Sequence, residues 1–136
     1  MKTRFTLADK RYKINLRSLR LLTSKVLKGE SAENKYCDIV YCADNRMIKL
    51  NSEFKDKKRT TDVLAFSLIN ENEPEYLGEI YINLQQAKRQ AKEHNEPYKK
   101  EVERLTVHGI LHLLGYRDNN DSNRKKMWSR QEGYLQ

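Results

Sequence analysis

His108 and His112 stand four residues apart in the run Leu-Thr-Val-His-Gly-Ile-Leu-His-Leu-Leu at 105–114. In a helix this spacing stacks two imidazoles on one face about one turn apart, so that both can meet a single metal ion at roughly 2.0–2.1 Å. Two core histidines bonded to carbonyls would share the spacing. The run is otherwise apolar on nearly all sides, however, and buried imidazoles need partners for both ring nitrogens, which a metal and outer acceptors supply together. Gly115 stands where a helix would end, and the chain can turn back there. Asp118 then becomes a candidate third ligand, although the polar run at 117–122 also suits a turn, with Asp121 as a rival ligand. Three protein ligands and one open position suit hydrolysis better than a closed structural site. Gly109 leaves room for another backbone or for substrate. It also stands where a zinc peptidase of the usual kind needs a glutamate base, which argues against peptidase chemistry. His94, in a polar stretch, is a weak ligand candidate.

These residues must be positioned by a small protein. With 136 residues, 34% charged and 38% apolar, the chain has the size and mix of one folded domain over 1–136. Its net charge of +8 raises the local concentration of polyanions, with nucleic acid the first suspect. No apolar run is long enough for a secretory signal or a membrane span, so a cytoplasmic protein without membrane contact is expected. Cys37 and Cys42 are five residues apart in a β-like run, where odd spacing puts them on opposite faces and disfavours both a disulfide and a shared metal. Reduced, buried thiols are expected.

Apolar spacing predicts an edge strand at 4–7, a helix at 16–28 closed by Gly29, strands at 36–41, 62–68 and 77–82, and a helix at 45–54 capped by Asp44 or Asn45. Asn83 should cap a helix running to about 94. The helix after Pro97 carries Glu101 and Glu103 in its first turn, where the helix dipole favours them. The last helix is expected at 123–134, capped by Asp121 or Ser122, with Met127 in the core. Together these predict an α+β fold, a mixed sheet of about four strands covered by helices, with the histidine helix buried at its centre.

The motif at 108–116, His-Gly-Ile-Leu-His-Leu-Leu-Gly-Tyr, resembles the signature of the YbeY family of bacterial single-strand-specific endoribonucleases, also called rRNA maturation factors. Upstream, Leu50-Asn-Ser-Glu-Phe, Thr61-Asp-Val-Leu-Ala-Phe and Leu77-Gly-Glu-Ile-Tyr-Ile are similar to further family segments, in the family's order across 50–118. The chain departs from the pattern at three places. Asp118 stands where most members carry a third histidine, Lys55 where they carry an arginine, and Glu79 where they carry an aspartate. Lys55 can neutralise a phosphate but cannot grip it bidentately, and Arg59 is the candidate to compensate.

The resemblance implies a zinc site of His108, His112 and Asp118, one ion per chain, acting on RNA phosphodiesters through a metal-bound water. It further implies single-stranded RNA as substrate, ribosomal RNA in particular, with contact to the ribosome or a ribosomal protein. Lys55, Lys57, Lys58 and Arg59 form a basic run suited to binding phosphates, with Lys55 and Arg59 as candidates to act in catalysis. Asp62 and Glu79 are rival candidates for the general base. Two other readings share these residues: a different zinc hydrolase, or a non-catalytic RNA- or ribosome-binding factor with a structural metal.

Overall fold

The computed structural model describes residues 2–54 and 59–136. In strand β1 (Arg4–Leu7) Phe5 and Leu7 turn inward while Arg4 and Thr6 stay exposed, the two-residue period of a half-covered strand. Helix α1 (Leu16–Gly29) starts at Asn15, whose side chain accepts from the Ser18 N–H, and buries Leu19, Thr23, Val26 and Leu27. It leads into β2 (Tyr36–Cys42), which lies parallel to β1 with Arg4 opposite Asp38.

Helix α2 (Asp44–Phe54) begins one residue earlier than its sequence suggests, because Asp44 does not act as its cap. The Asp44 carboxylate instead accepts from Thr60, Asn83 and Arg89. Strand β3 (Val63–Ser67) and strand β4 (Tyr76–Asn83) are antiparallel, and β4 is parallel to β2. The sheet order is β1-β2-β4-β3, mixed and four-stranded as expected. Asn83 ends β4 and caps α3 (Leu84–Glu93), accepting from the Gln86 N–H as its sequence position predicts.

Helix α4 (Tyr98–Leu113) packs against β3, β4, α1, α3 and α5 (Asp121–Tyr134). It is the centre of the main core, with Val102, Leu105, Val107, Ile110 and Leu111 buried among Ile39, Tyr41, Ile80 and Ile82 of the sheet. The other sheet face is covered by α2, where Met47 and Leu50 meet Cys42 and Leu64. Cys37 belongs to the first cluster and Cys42 to the second, so the two thiols do lie on opposite faces, both free. Burial pushes Cys37 up to about 12 and Cys42 up to about 11. The last helix differs from expectation at its start. Asn120, in extended backbone geometry, accepts from the Asn123 N–H, while Asp121 and Ser122 are already helical. Asp121 then lies in the first turn, where the helix dipole favours it. No helix among the described residues is long and apolar enough to cross a membrane.

Candidate metal centre

Helix α4 ends in a paired turn. The Gly115 N–H donates to the His112 carbonyl and the Tyr116 N–H to the Leu111 carbonyl, each at 3.0 Å, while Gly115 adopts a φ of 101°. This is the left-handed exit that glycine allows at no steric cost, and it reverses the chain toward the face that carries the histidines. Tyr116 fastens the reversal from outside, its hydroxyl donating to Glu30 Oε1 at 2.7 Å. The Arg124 guanidinium donates to the Asp118 carbonyl and to Asp121, which ties the loop to the start of α5. Asp121, the rival ligand, is therefore occupied by Arg124.

His108, His112 and Asp118 come together, with one donor atom from each within 4.8 Å of the others. His108 Nε2 and His112 Nε2 are 3.0 Å apart, and His112 Nε2 lies 3.4 Å from Asp118 Oδ2. His108 Nδ1 is 2.7 Å from Gln131 Oε1, an acceptor, so the proton of a neutral His108 sits on Nδ1 and Nε2 carries a lone pair. The Tyr116 backbone acts on His112 in the direction of a raised pKa. Burial and the neighbouring His108 hold the His112 pKa below its usual value, against the opposing pull of Asp118. Two imidazole nitrogens thus face each other beside a carboxylate, with the neutral form of His112 favoured. That donor set fits a divalent cation, which both Nε2 atoms could share in place of the hydrogen bond between them.

Gln131 was not singled out by sequence reasoning. It is buried on α5 one turn from Met127, and its amide nitrogen donates to Glu132 Oε2. Glu132 in turn accepts from Arg104, which also binds Glu96 and Glu101. The outer support of His108 thus runs from Gln131 into an ion cluster around a side chain that is only 10% exposed. A polar residue on the buried stripe of an otherwise polar helix was the available signal.

Two expectations need correction. Gly109 admits neither substrate nor another backbone: its α-carbon faces β4, where an added Cβ would lie 2.5 Å from Ile80 Cγ2. Glu79 falls on the wrong side of the sheet to serve as base. Ile80 packs toward α4, so the strand pleat turns Glu79 to the α2 face, where it accepts from the Tyr81 hydroxyl. Asp62 enters the fold through its carbonyl, which accepts from the Asn83 N–H. Arg59 is exposed, with its carbonyl held by Asn51 at 2.7 Å, and Thr60 beside it is bound to Asp44. Lys55, Lys57 and Lys58 lie outside the described residues.

The family model described as Endoribonuclease YbeY matches residues 4–136. The chain belongs to the endoribonuclease YbeY family. An Endoribonuclease YbeY from Endomicrobium trichonymphae is 33% identical over 114 residues, covering 84% of this chain and 79% of the relative. A second, from Desulforamulus reducens, is 41% identical over 106 residues, covering 72% and 69%. The fold is similar to the solution structure of a Thermotoga maritima protein, with a TM-score of 0.72 and 30% identity over 98% of this chain and 86% of that one. Family membership places the chain among the endoribonucleases, which are hydrolases, and the three converging donors give such an enzyme a place for a metal.

Proposed function

We propose that the chain is a metal-dependent, single-strand-specific endoribonuclease that acts on ribosomal RNA during ribosome maturation and quality control, in the cytoplasm and in contact with the ribosome. His108, His112 and Asp118 hold one ion, zinc by the chemistry of a two-imidazole, one-carboxylate set. The observation that carries this reading is the approach of the two Nε2 atoms to 3.0 Å while Gln131 occupies the far side of His108.

Bound there, a divalent ion supplies Lewis acidity, polarising a phosphoryl oxygen and acidifying water at neutral pH. The chain's own residues do the rest. Gln131 holds the His108 ring in the orientation that presents Nε2. Asp118, half exposed, completes the donor set from the solvent side and leaves the approach to the site open. Arg59, with Lys55, Lys57 and Lys58, binds RNA phosphates and offsets the charge that grows on the reacting group. Their side of the reaction is electrostatic, so it weakens as salt rises.

The test is cleavage of single-stranded and duplex RNA by the purified chain, with metal content measured alongside. About one zinc per chain, cutting confined to single strands, and loss of both metal and cutting in His112→Ala are expected. Asp118→Ala should weaken metal retention, whereas Asp118→His should keep the metal. Equal RNA binding with and without metal and no cleavage under either condition would favour a binding factor instead.

A further inference from the structure

A cavity of about 360 Å³ opens beside the metal donors. Its size falls within the roughly 300–1,000 Å³ range of small-ligand clefts. His108, Asp118 and Gln131 form one wall, and α5 supplies the other with Met127, Trp128 and Lys125. Trp128 is the only tryptophan of the chain and is 56% exposed. A large indole left half in water next to a metal centre is not needed by the core, which α5 fills with Met127 and Gln131 instead.

The ring is also held in place. The Arg104 guanidinium lies over it, with its central carbon 5.6 Å from the ring centroid, and Arg104 is itself fixed by Glu96, Glu101 and Glu132. A ring oriented before ligand arrives loses little freedom on binding. Lys125 and Arg124 place positive charge at the same cavity, and a flat aromatic face beside cations is the arrangement that takes an unpaired base and its phosphate. A base in a duplex could not use it, because both of its faces are already stacked.

We propose that Trp128 is the stacking wall for one base of the single-stranded RNA, the nucleotide adjoining the phosphate at the metal centre, with Lys125 meeting its backbone. This rests on the single-strand endoribonuclease reading above. Stacking tolerates any base, so the subsite sets a demand for an unpaired nucleotide without fixing its identity.

Because Trp128 is alone, its emission reports on this subsite directly. The zinc-loaded full chain is mixed with a fluorescently labelled single-stranded oligoribonucleotide and read before cleavage proceeds, following RNA anisotropy and Trp128 emission together. Saturable quenching that tracks binding is expected. Trp128→Ala should bind the RNA about 5- to 100-fold more weakly with its zinc content unchanged, and Trp128→Phe should recover most of the loss. An RNA lacking one base beside the cleaved phosphate should bind the native chain more weakly by a similar factor and should not distinguish Trp128→Ala further. RNA that binds and is cut while emission stays constant and Trp128→Ala binds equally well overturns the assignment, and would leave Trp128 as a contact for a protein. A native chain that neither binds nor cuts single-stranded RNA overturns the function proposed above together with this subsite.

Discussion

Gly109 and Ile80 meet without room for a single methyl between them: a Cβ on Gly109 would lie 2.5 Å from Ile80 Cγ2 and 3.3 Å from Cδ1. The contact seats α4 on β4 at the residue next to His108, so the spacing between helix and sheet also sets where the first donor stands. Gly109→Ala should destabilise the protein by about 1–3 kcal/mol through overpacking. Pairing it with Ile80→Ala removes the clashing atoms, so the double variant should lose less than the sum of the two singles. Denaturant titration of all four proteins measures the coupling, and strict additivity would show that the helix shifts freely.

Gln131 is expected to matter for metal more than for folding. Gln131→Leu leaves the Nδ1 proton of His108 without an acceptor, which should weaken zinc binding about 10- to 100-fold. Gln131→Glu keeps an acceptor at the same reach and should preserve affinity. Chelator competition gives both values without any reliance on RNA cleavage.

Arg104 holds three carboxylates, of which Glu101 is 3% exposed. Arg104→Met removes the guanidinium that pairs with all three carboxylates and should cost about 3–5 kcal/mol, because the buried Glu101 carboxylate loses its ion-pair partner. Arg104→Lys should recover only part of this, since one ammonium cannot reproduce the forked contacts to Glu96, Glu101 and Glu132. Thermal unfolding of the metal-free proteins separates the effect from metal binding.

Asp44 gives a prediction in pH. The Arg89 guanidinium above all, with Asn83 and Thr60, holds its carboxyl down to about 2 from the ordinary value of 3.8. A depressed carboxyl stabilises the folded state above its unfolded value and loses that contribution as pH falls toward the folded one. Asp44→Asn should therefore cost about 1–2 kcal/mol at neutral pH. The difference from the native chain should shrink between about pH 4 and pH 2, which urea unfolding across that interval can follow. A constant difference would place the effect in packing and not in charge.

What the sequence revealed, and what it hid, follows from the range of each interaction. The Asn83 cap, the exit at Gly115 and the paired histidines are all local, fixed by residues within one turn of each other, and so they are readable along the chain. Asp118 needed only the turn after α4. Asn120 was missed because three good capping residues follow one another at 120–122, and the choice among them is made by the backbone entering α5. The acceptor on His108 comes from 23 positions further along and exists only once α5 is packed on α4. The side that Glu79 takes is legible in the pattern of β4: with Ile80 inward, the adjacent residue has to face the other way.

The order of these parts along the chain has a consequence for how the protein is made. All three donors lie between His108 and Asp118, while Gln131 and Trp128 belong to the helix that follows. A growing chain therefore displays two histidines and an aspartate before it possesses the residues that orient one ring and wall the cavity. Display of the donors and their alignment are separated in time, and a chain cut between α4 and α5 would carry the two histidines and the aspartate without the Gln131 and Arg124 contacts that hold them in place.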